Sequence, residues 1–392
     1  KGKLYFTVDV KRKCDKVKVK LTKEGGIIMK EAKEFKLIKC QGTDYEIGKQ
    51  FGETCREDFR RSVEATYIYY QQYQINKEQI IADVNKFLPL VENFDPQVVE
   101  FIKGIASGAC INFKEAMMMR AGNELAFYNH LPSDLSPSLC TSFSATGRAV
   151  KSGKTLVGQN LDWVEDTPVY LLWIKRADGI EQLCLSSGGG LEFGLNSMGI
   201  GACVNRIWPP QNTPHKLNIP MGCYLPKVMR QRNIGDALGV LCQVSKGMQY
   251  YNLASSEGDI IGLESTFDDY NVMQPERDML VHSNHYLTER FKKGDWSGQG
   301  EPDTYLRVQR IRRLMELNYG QLTPEKMMEI LADHNNYPNS VCGHADESTP
   351  LPHWATQASI IMVPAEGTMF VACGNPCKNK FVEYNLKKML YE

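Results

Sequence analysis

An α+β fold is predicted by three features of the sequence. The stretch before residue 130 carries helical periodicity almost throughout. The pattern changes to short, turn-separated strands at Cys140. Helical segments then alternate with strands to the end. With 392 residues and 42% hydrophobic content the chain can bury a large core, as one large domain or two.

The elements follow in order. Residues 35–40 read as a strand. The Gln41-Gly42-Thr43-Asp44 turn feeds a helix, with Thr43 or Asp44 as its N-cap. Helices are expected over 45–73, 77–90, 96–110 and 113–128, the third opened by Asp95 as cap and Pro96 at the first helical position. Met117, Met118 and Met119 read as core filler. Residues 131–139 form a Pro/Ser-rich connector of the accessible kind that proteolysis favours. From Cys140, strands are expected over 140–147 and 155–163, then over 168–174, 180–185, 191–195 and 199–205. Helices follow over 220–232 and 234–244, and strands over 249–255 and 260–265. A helix begins near Pro302 with Asp303 or Thr304 as cap, another spans 324–334, and strands at 357–363 and 369–373 close the sheet. Ser187-Gly188-Gly189-Gly190 lacks the Lys-Ser/Thr of a phosphate loop and opens no helix.

Chemistry concentrates in Cys140-Thr141-Ser142-Phe143 and Gly158-Gln159-Asn160-Leu161-Asp162-Trp163. A hairpin joining these two strands sets Cys140 beside Asp162. A thiol is a weak nucleophile until a base takes its proton. If the bond before Cys140 is cut, its own α-amino group, with a pKa of roughly 7.7–8.0, can serve as that base, with Asp162 holding the new amine.

The Cys-Thr-Ser-Phe…Gly-Gln-Asn-Leu-Asp-Trp pattern resembles the N-terminal-nucleophile hydrolases. The nearest resemblance is to the acyl-coenzyme A:6-aminopenicillanic acid acyltransferase family, with bile salt (choloylglycine) hydrolases and penicillin V acylases more distant. Tyr45-Glu46-Ile47-Gly48, Gly104-Ile105-Ala106-Ser107-Gly108, Asn123-Glu124-Leu125, residues 195–206 and residues 337–344 also resemble family segments. The resemblance covers nearly all of residues 29–392. It implies a four-layer αββα sandwich and a self-cleaving proenzyme cut between Leu139 and Cys140, with a helical segment over 29–139 and a catalytic segment over 140–392 that stay associated. It also implies the site: Cys140 as nucleophile, Asp162 on its amine, Asn284 and the neighbourhood of Asn205 at the oxyanion, and Arg307 beside the nucleophile, favouring the thiolate and orienting Asp162. The implied substrate is a small N-acyl or acyl-CoA compound whose acyl group passes to water or to an amine, without metal or nucleotide cofactor. Three departures stand out. Leu139 occupies a position where glycine is common, Gly343 lies where a basic residue is frequent, and Gln159 replaces the arginine of bile salt hydrolases, which favours the acyltransferase branch.

Composition narrows the classes further. Formal net charge is zero, which argues against a nucleic-acid footprint. Residues 1–28 carry nine Lys or Arg against three Asp or Glu, so the remainder holds 37 basic and 43 acidic side chains. This basic segment is either an ordinary β-ribbon extension or a translated leader before Met29, since Lys23-Glu24-Gly25-Gly26 is what a ribosome-binding sequence would encode. No apolar run approaches the ~20 residues of a membrane span and no signal peptide is evident. Twelve cysteines without paired spacing read as reduced thiols, and the expectation of a cytoplasmic protein rests on them. Cys373 and Cys377 form the one close pair, and without a second pair at ligand spacing no zinc site is expected. His282 and His285 around Asn284 likewise lack further ligands nearby.

Two other readings remain open at this stage. One is a papain-like Cys–His hydrolase using His282, His285 or His344 and needing no cleavage. The other is a non-catalytic binding member of the family. The sequence leaves a homo-oligomer open as well.

Overall fold

The computed structural model describes residues 34–131, 140–165, 167–207, 216–243, 249–348 and 353–389. The expectations for residues 1–28 and for the connector ending in Leu139 lie outside them. From residue 34 on, the chain forms one unit.

Along the chain, strand β1 (Leu37–Gly42) leads into helices α1 (Asp44–Thr54), α2 (Arg56–Gln71), α3 (Lys77–Phe94), α4 (Pro96–Ala109), α5 (Phe113–Arg120) and α6 (Gly122–Tyr128). Strands β2 (Thr141–Ala145), β3 (Leu156–Val164), β4 (Val169–Arg176), β5 (Glu181–Ser187), β6 (Leu191–Asn196) and β7 (Ile200–Arg206) follow, then helices α7 (Met221–Met229) and α8 (Ile234–Gln243). Next come β8 (Gln249–Ser255), β9 (Ile260–Ser265), β10 (Tyr270–Met273) and β11 (Met279–His282). Helices α9 (Glu289–Lys292), α10 (Asp303–Leu317) and α11 (Pro324–Leu331) precede β12 (Trp354–Val363), β13 (Thr368–Cys373), β14 (Val382–Asn385) and α12 (Leu386–Met389).

The strands form two sheets. One runs in the order β1-β4-β5-β6-β7-β8-β9-β10, antiparallel except for the β1–β4 pair. The other runs β11-β2-β3-β12-β13-β14 and is antiparallel throughout. They pack face to face: Val157, Leu161, Ile360, Met362 and Met369 of the second sheet share a cluster with Leu183, Leu185, Phe193, Leu195 and Ala202 of the first. A Cβ at Gly201 would lie 2.7 Å from Val157 Cγ1, so the sheets approach too closely there for any side chain. Helices α1 to α5 cover the outer face of the eight-stranded sheet, where Ile38, Cys40, Leu172 and Ile174 join their cluster. Helices α10 and α11 cover the other outer face, packing Ile311, Met315, Ile330 and Leu331 on Phe143, Leu156 and Ile361. The result is an αββα sandwich.

The helical layer shows what two of the family-like segments do. Thr43 and Glu46 form a capping box that starts α1. Gly48 and Gly52 of α1 face Gly104 and Gly108 of α4. A Cβ at Gly48 would fall 2.1 Å from Phe101 O, and one at Gly104 2.1 Å from Tyr45 O, so this helix crossing admits only glycine. The segments therefore encode a packing contact. Buried ion pairs tie this layer to the residues after Cys140. Arg120 grips Glu192 with both terminal nitrogens at 2.8 and 2.7 Å, Arg176 does the same to Asp44 at 2.8 and 2.9 Å, and Arg230 pairs with Asp95. Glu124 accepts from Met221 N at the start of α7, and burial pushes its carboxyl up to about 7.

Several expected boundaries shift. The helix expected over 45–73 breaks at Cys55, which leaves helical geometry at φ −112°, ψ 23°; Phe51 and Phe59 pack edge to face across the break. The helix expected over 113–128 breaks likewise at Ala121. The third helix starts as expected, with Asp95 accepting from Gln97 N. The second continues through Pro89 to Phe94. Neither Asp303 nor Thr304 caps α10, because Asp303 pairs with Arg307 and Thr304 accepts from Asn284 N instead. The Gly188–Gly190 run is a packing turn, since a Cβ at Gly189 would meet Phe59 at 2.3 Å. No described helix is long and apolar enough to cross a membrane.

Candidate active site

The β2–β3 hairpin pairs Thr141 with Asn160 and Ser142 with Gln159. That register sets Cys140, one residue before the ladder, at the level of Leu161 and Asp162. The Cys140 thiol lies 3.8 Å from Asp162 O. The ladder is held by buried polar groups on both of its faces. Gln159 Oε1 accepts from Val204 N on the facing sheet at 2.9 Å, and Asn160 Nδ2 donates to Val341 O and Leu331 O at 2.7 and 2.9 Å.

Cys140 is buried, and its carbonyl oxygen is clamped from two sides. Asn205 Nδ2, from β7, donates to it at 3.2 Å, and Arg307 Nη1, from α10, donates at 2.9 Å. Asn205 also donates to His282 O and Ser283 O at 3.3 and 3.0 Å, tying the Cys140 backbone to the turn after β11. Arg307 is the largest fully buried side chain described. Its Nε donates to Asp303 at 2.8 Å, its Nη1 also reaches Thr141 Oγ1 at 3.0 Å, and its Nη2 donates to Asn284 Oδ1 at 3.0 Å. Because the guanidinium takes Oδ1, the Asn284 amide is fixed with its NH2 group on the other side, where it donates to Arg206 O at 2.8 Å. Arg307 thus orients the Cys140 carbonyl and Asn284. Its influence on Asp162 is through space, lowering that carboxyl's pKa.

Asp162 is fully buried. Its Oδ1 accepts from Thr356 Oγ1 at 2.5 Å across the β3–β12 pair, beside a bulge at Gln357. Its Oδ2 has no hydrogen-bond partner among the described residues. Burial pushes the carboxyl from 3.8 up to about 7, against the lowering by Thr356 and Arg307. Gly343 lies against Oδ2, where a Cβ would stand at 3.3 Å. Gly343 N donates to Thr356 Oγ1 at 3.0 Å, so the 341–344 loop fixes the hydroxyl that fixes Asp162.

The structure therefore brings Cys140, Asp162, Asn205, Asn284 and Arg307 together. It adds Thr356, which carries no signal as one polar residue in a strand, and it gives Gly343 and Asp303 places in the site in addition to the departure and the helix cap they mark in the sequence. The histidines of the papain-like reading turn elsewhere. Both ring nitrogens of His282 are engaged, Nε2 with Glu264 at 2.8 Å and Nδ1 with Ser283 O at 2.9 Å, while the ring stacks on Tyr250. His285 Nδ1 meets Thr304 Oγ1 at 3.0 Å, and burial pushes its pKa down to about 3, leaving it neutral. His344 Nε2 faces His334, Cys342 and Cys377. By spacing alone, Cys377 has only Cys373 as a close cysteine neighbour. The fold instead sets it 3.6 Å, sulfur to sulfur, from Cys342.

Residues 149–377 match the family described as acyl-coenzyme A:6-aminopenicillanic acid acyl-transferase. The chain belongs to this family. The matched span holds Asp162, Asn205, Asn284, Arg307 and Thr356, and it begins nine residues after Cys140. Among solved structures the chain is similar to a variant of conjugated bile acid hydrolase from Clostridium perfringens, at 15% identity and TM-score 0.40, over 63% of this chain and 97% of that one. It is also similar to penicillin V acylase from Agrobacterium tumefaciens, at 13% identity and TM-score 0.39, over 64% of this chain and 87% of that one.

Proposed function

We propose that this acyltransferase-family chain is a self-processing thiol enzyme. It cuts its own Leu139–Cys140 bond, then transfers the acyl group of a linear amide or thioester to water or to an amine. The observation that carries the reading is the pairing of a buried thiol at the head of β2 with a buried carboxyl whose Oδ2 lacks a hydrogen-bond partner among the described residues. A buried carboxylate oxygen without a donor is costly. An α-ammonium on Cys140 would supply that donor and lower the carboxyl's raised pKa.

In processing, Cys140 Sγ attacks the Leu139 carbonyl carbon. The C–S bond forms and the C–N bond breaks, leaving a thioester and a free α-amine. Water then attacks the thioester, releasing a Leu139 carboxylate and the thiol. In turnover the α-amine takes the thiol proton and the thiolate attacks the substrate carbonyl. One N–H of Asn284, with a backbone N–H near Asn205, binds the oxyanion. The leaving amine takes the proton back, and the thioester passes its acyl group to water or an acceptor amine. Asn205 and Arg307 act as positioning residues: through the Cys140 carbonyl they fix where the thiol points. The buried pairs Arg120–Glu192, Arg176–Asp44 and Arg230–Asp95 support continued association of the two fragments, since separation would strand buried charges.

Intact mass tests the reading. Wild type should resolve into two fragments split before Cys140, and Cys140→Ala should remain whole. A wild-type chain that stays whole yet hydrolyses N-acyl amino acids, penicillin V or acyl-CoA would overturn the self-processing step.

A further inference from the structure

Four soft and borderline donors meet at the end of the six-stranded sheet where β12 begins and β13 finishes, outside the Cys140 cage. His334 follows α11, Cys342 and His344 flank Gly343, and Cys377 lies in the β13–β14 connection. Their ligand atoms all fall within 4.8 Å of one another. The measured edges are 3.6 Å between Cys342 Sγ and Cys377 Sγ and 3.1 Å between His334 Nε2 and His344 Nε2. His344 Nε2 lies 3.5 Å from each sulfur. A tetrahedron around zinc with Zn–S of about 2.3 Å and Zn–N of about 2.05 Å has edges of roughly 3.8 Å (S–S), 3.3 Å (N–N) and 3.6 Å (S–N). These four separations match the tetrahedral edges to within about 0.2 Å, and the two between His334 and the sulfurs fall inside 4.8 Å, so the exposed His334 ring closes the tetrahedron by a small swing toward the sulfurs.

Hydrogen bonding accounts poorly for the same contacts. A neutral imidazole nitrogen offers either one N–H or one lone pair. His344 Nε2 is approached by three groups at once, and a single lone pair serves one of them. A cation at the centre serves all four. The donor set contains no carboxylate, and two thiolates neutralise a divalent ion, which is the chemistry that selects zinc over magnesium or calcium. Outer contacts hold the donors. Asn375 Nδ2 lies 3.7 Å from Cys342 Sγ and donates to Gly343 O at 2.6 Å, Ser340 Oγ donates to Cys342 O at 2.7 Å, and His344 N donates to Pro338 O at 3.0 Å.

We propose that His334, Cys342, His344 and Cys377 bind one Zn2+ in a closed tetrahedral site that fixes the 341–344 loop. With four protein ligands there is no open position for substrate, so the site is structural. Its consequence is local. Two ligands bracket Gly343, which holds Thr356 Oγ1 and abuts Asp162 Oδ2. Binding the metal pins the wall of the Cys140 cage from outside.

The test uses the full chain purified without chelators. Elemental mass spectrometry should find one zinc per chain. Cobalt exchanged for it should give the visible bands of tetrahedral Co2+ and near-ultraviolet thiolate-to-metal charge transfer. His334 and Cys377 are exposed, so His334→Gln and Cys377→Ser should keep the circular dichroism of the wild type. Each should weaken zinc binding by at least about a hundredfold, the upper end of what losing even an outer contact costs. Three results would overturn the site: no stoichiometric zinc and no binding when the reduced chain is titrated with it, zinc retained by both variants, or an intact mass lighter by two hydrogens with Cys342 and Cys377 cross-linked. None of these readouts depends on catalysis, so failure here is separate from failure of the processing reading.

Discussion

The two cysteine centres of this protein differ in what surrounds the sulfur. Cys140 sits in a cage of amide, guanidinium and carboxyl groups, with its carbonyl clamped by Asn205 and Arg307. Cys342 and Cys377 face each other and two imidazoles. The first environment clamps the residue's carbonyl with hydrogen-bond donors and sets its thiol beside Asp162, the arrangement that the proposed nucleophile requires. The second gathers electron-pair donors with little to satisfy them but a metal. Residue type alone separates neither; the neighbours do. The centres also touch, since Gly343 belongs to the loop of one and the wall of the other.

The largest expected effect comes from removing the Cys140 thiol, the proposed nucleophile. Cys140→Ala should abolish cleavage and lower turnover by roughly 10⁴-fold or more, while Cys342→Ala should leave residual activity. Equal loss in both, measured on folded protein by intact mass and substrate assay, would dissolve the contrast. Next, Asn284→Ala should lower kcat by about 10²–10³-fold, the cost typical of one oxyanion donor, with the chain still folded by circular dichroism. Chelation of zinc should come third. It should lower the melting temperature by several degrees and slow processing by freeing Gly343 from Thr356, with both restored by added zinc.

A smaller effect concerns pH. Asp162 binds a proton more tightly in the folded chain, so its contribution to stability is complete below about pH 4 and is lost as pH rises towards about 7. In uncleaved Cys140→Ala, stability should therefore fall across that window, by at most about 1.4 kcal/mol per pH unit from this group. Asp162→Asn should flatten the fall; an unchanged slope in denaturant titrations would mean Glu124, shifted in the same direction, carries it. The smallest effect is expected from Gly343→Ala, whose Cβ would press on Asp162 Oδ2 at 3.3 Å. Processing should slow a few-fold with little change in zinc content.

The two centres also differ in legibility. Cys140 and Asp162 are 22 residues apart and joined by one hairpin, so strand alternation and a turn sufficed to set them side by side. Asn205, Asn284 and Arg307 came from resemblance alone, and their partners were invisible. Arg307 points to the Cys140 carbonyl and Asn284 rather than bonding to Asp162, because α10 lies outside the six-stranded sheet and its guanidinium enters from that side. Thr356 became a partner of Asp162 through the β3–β12 register, which depends on a bulge no local pattern announces. The cluster of His334, Cys342, His344 and Cys377 is illegible for a related reason: the fold takes one member from the end of a helix, two from the loop after it and one from a turn two strands later, so no short stretch carries its spacing.

The sequence by itself determined the α+β class, the hairpin that brings Cys140 to Asp162 and the capped starts of α1 and α4, because each depends on neighbours a few residues away or on the period of the apolar pattern. The tertiary structure alone decided which groups clamp the Cys140 carbonyl, what holds Asp162 at its raised pKa, and that Cys342 and Cys377 share a centre with two histidines. Those contacts join residues tens to hundreds of positions apart, and their distances follow from how two twisted sheets and their covering layers pack, which local propensity does not encode.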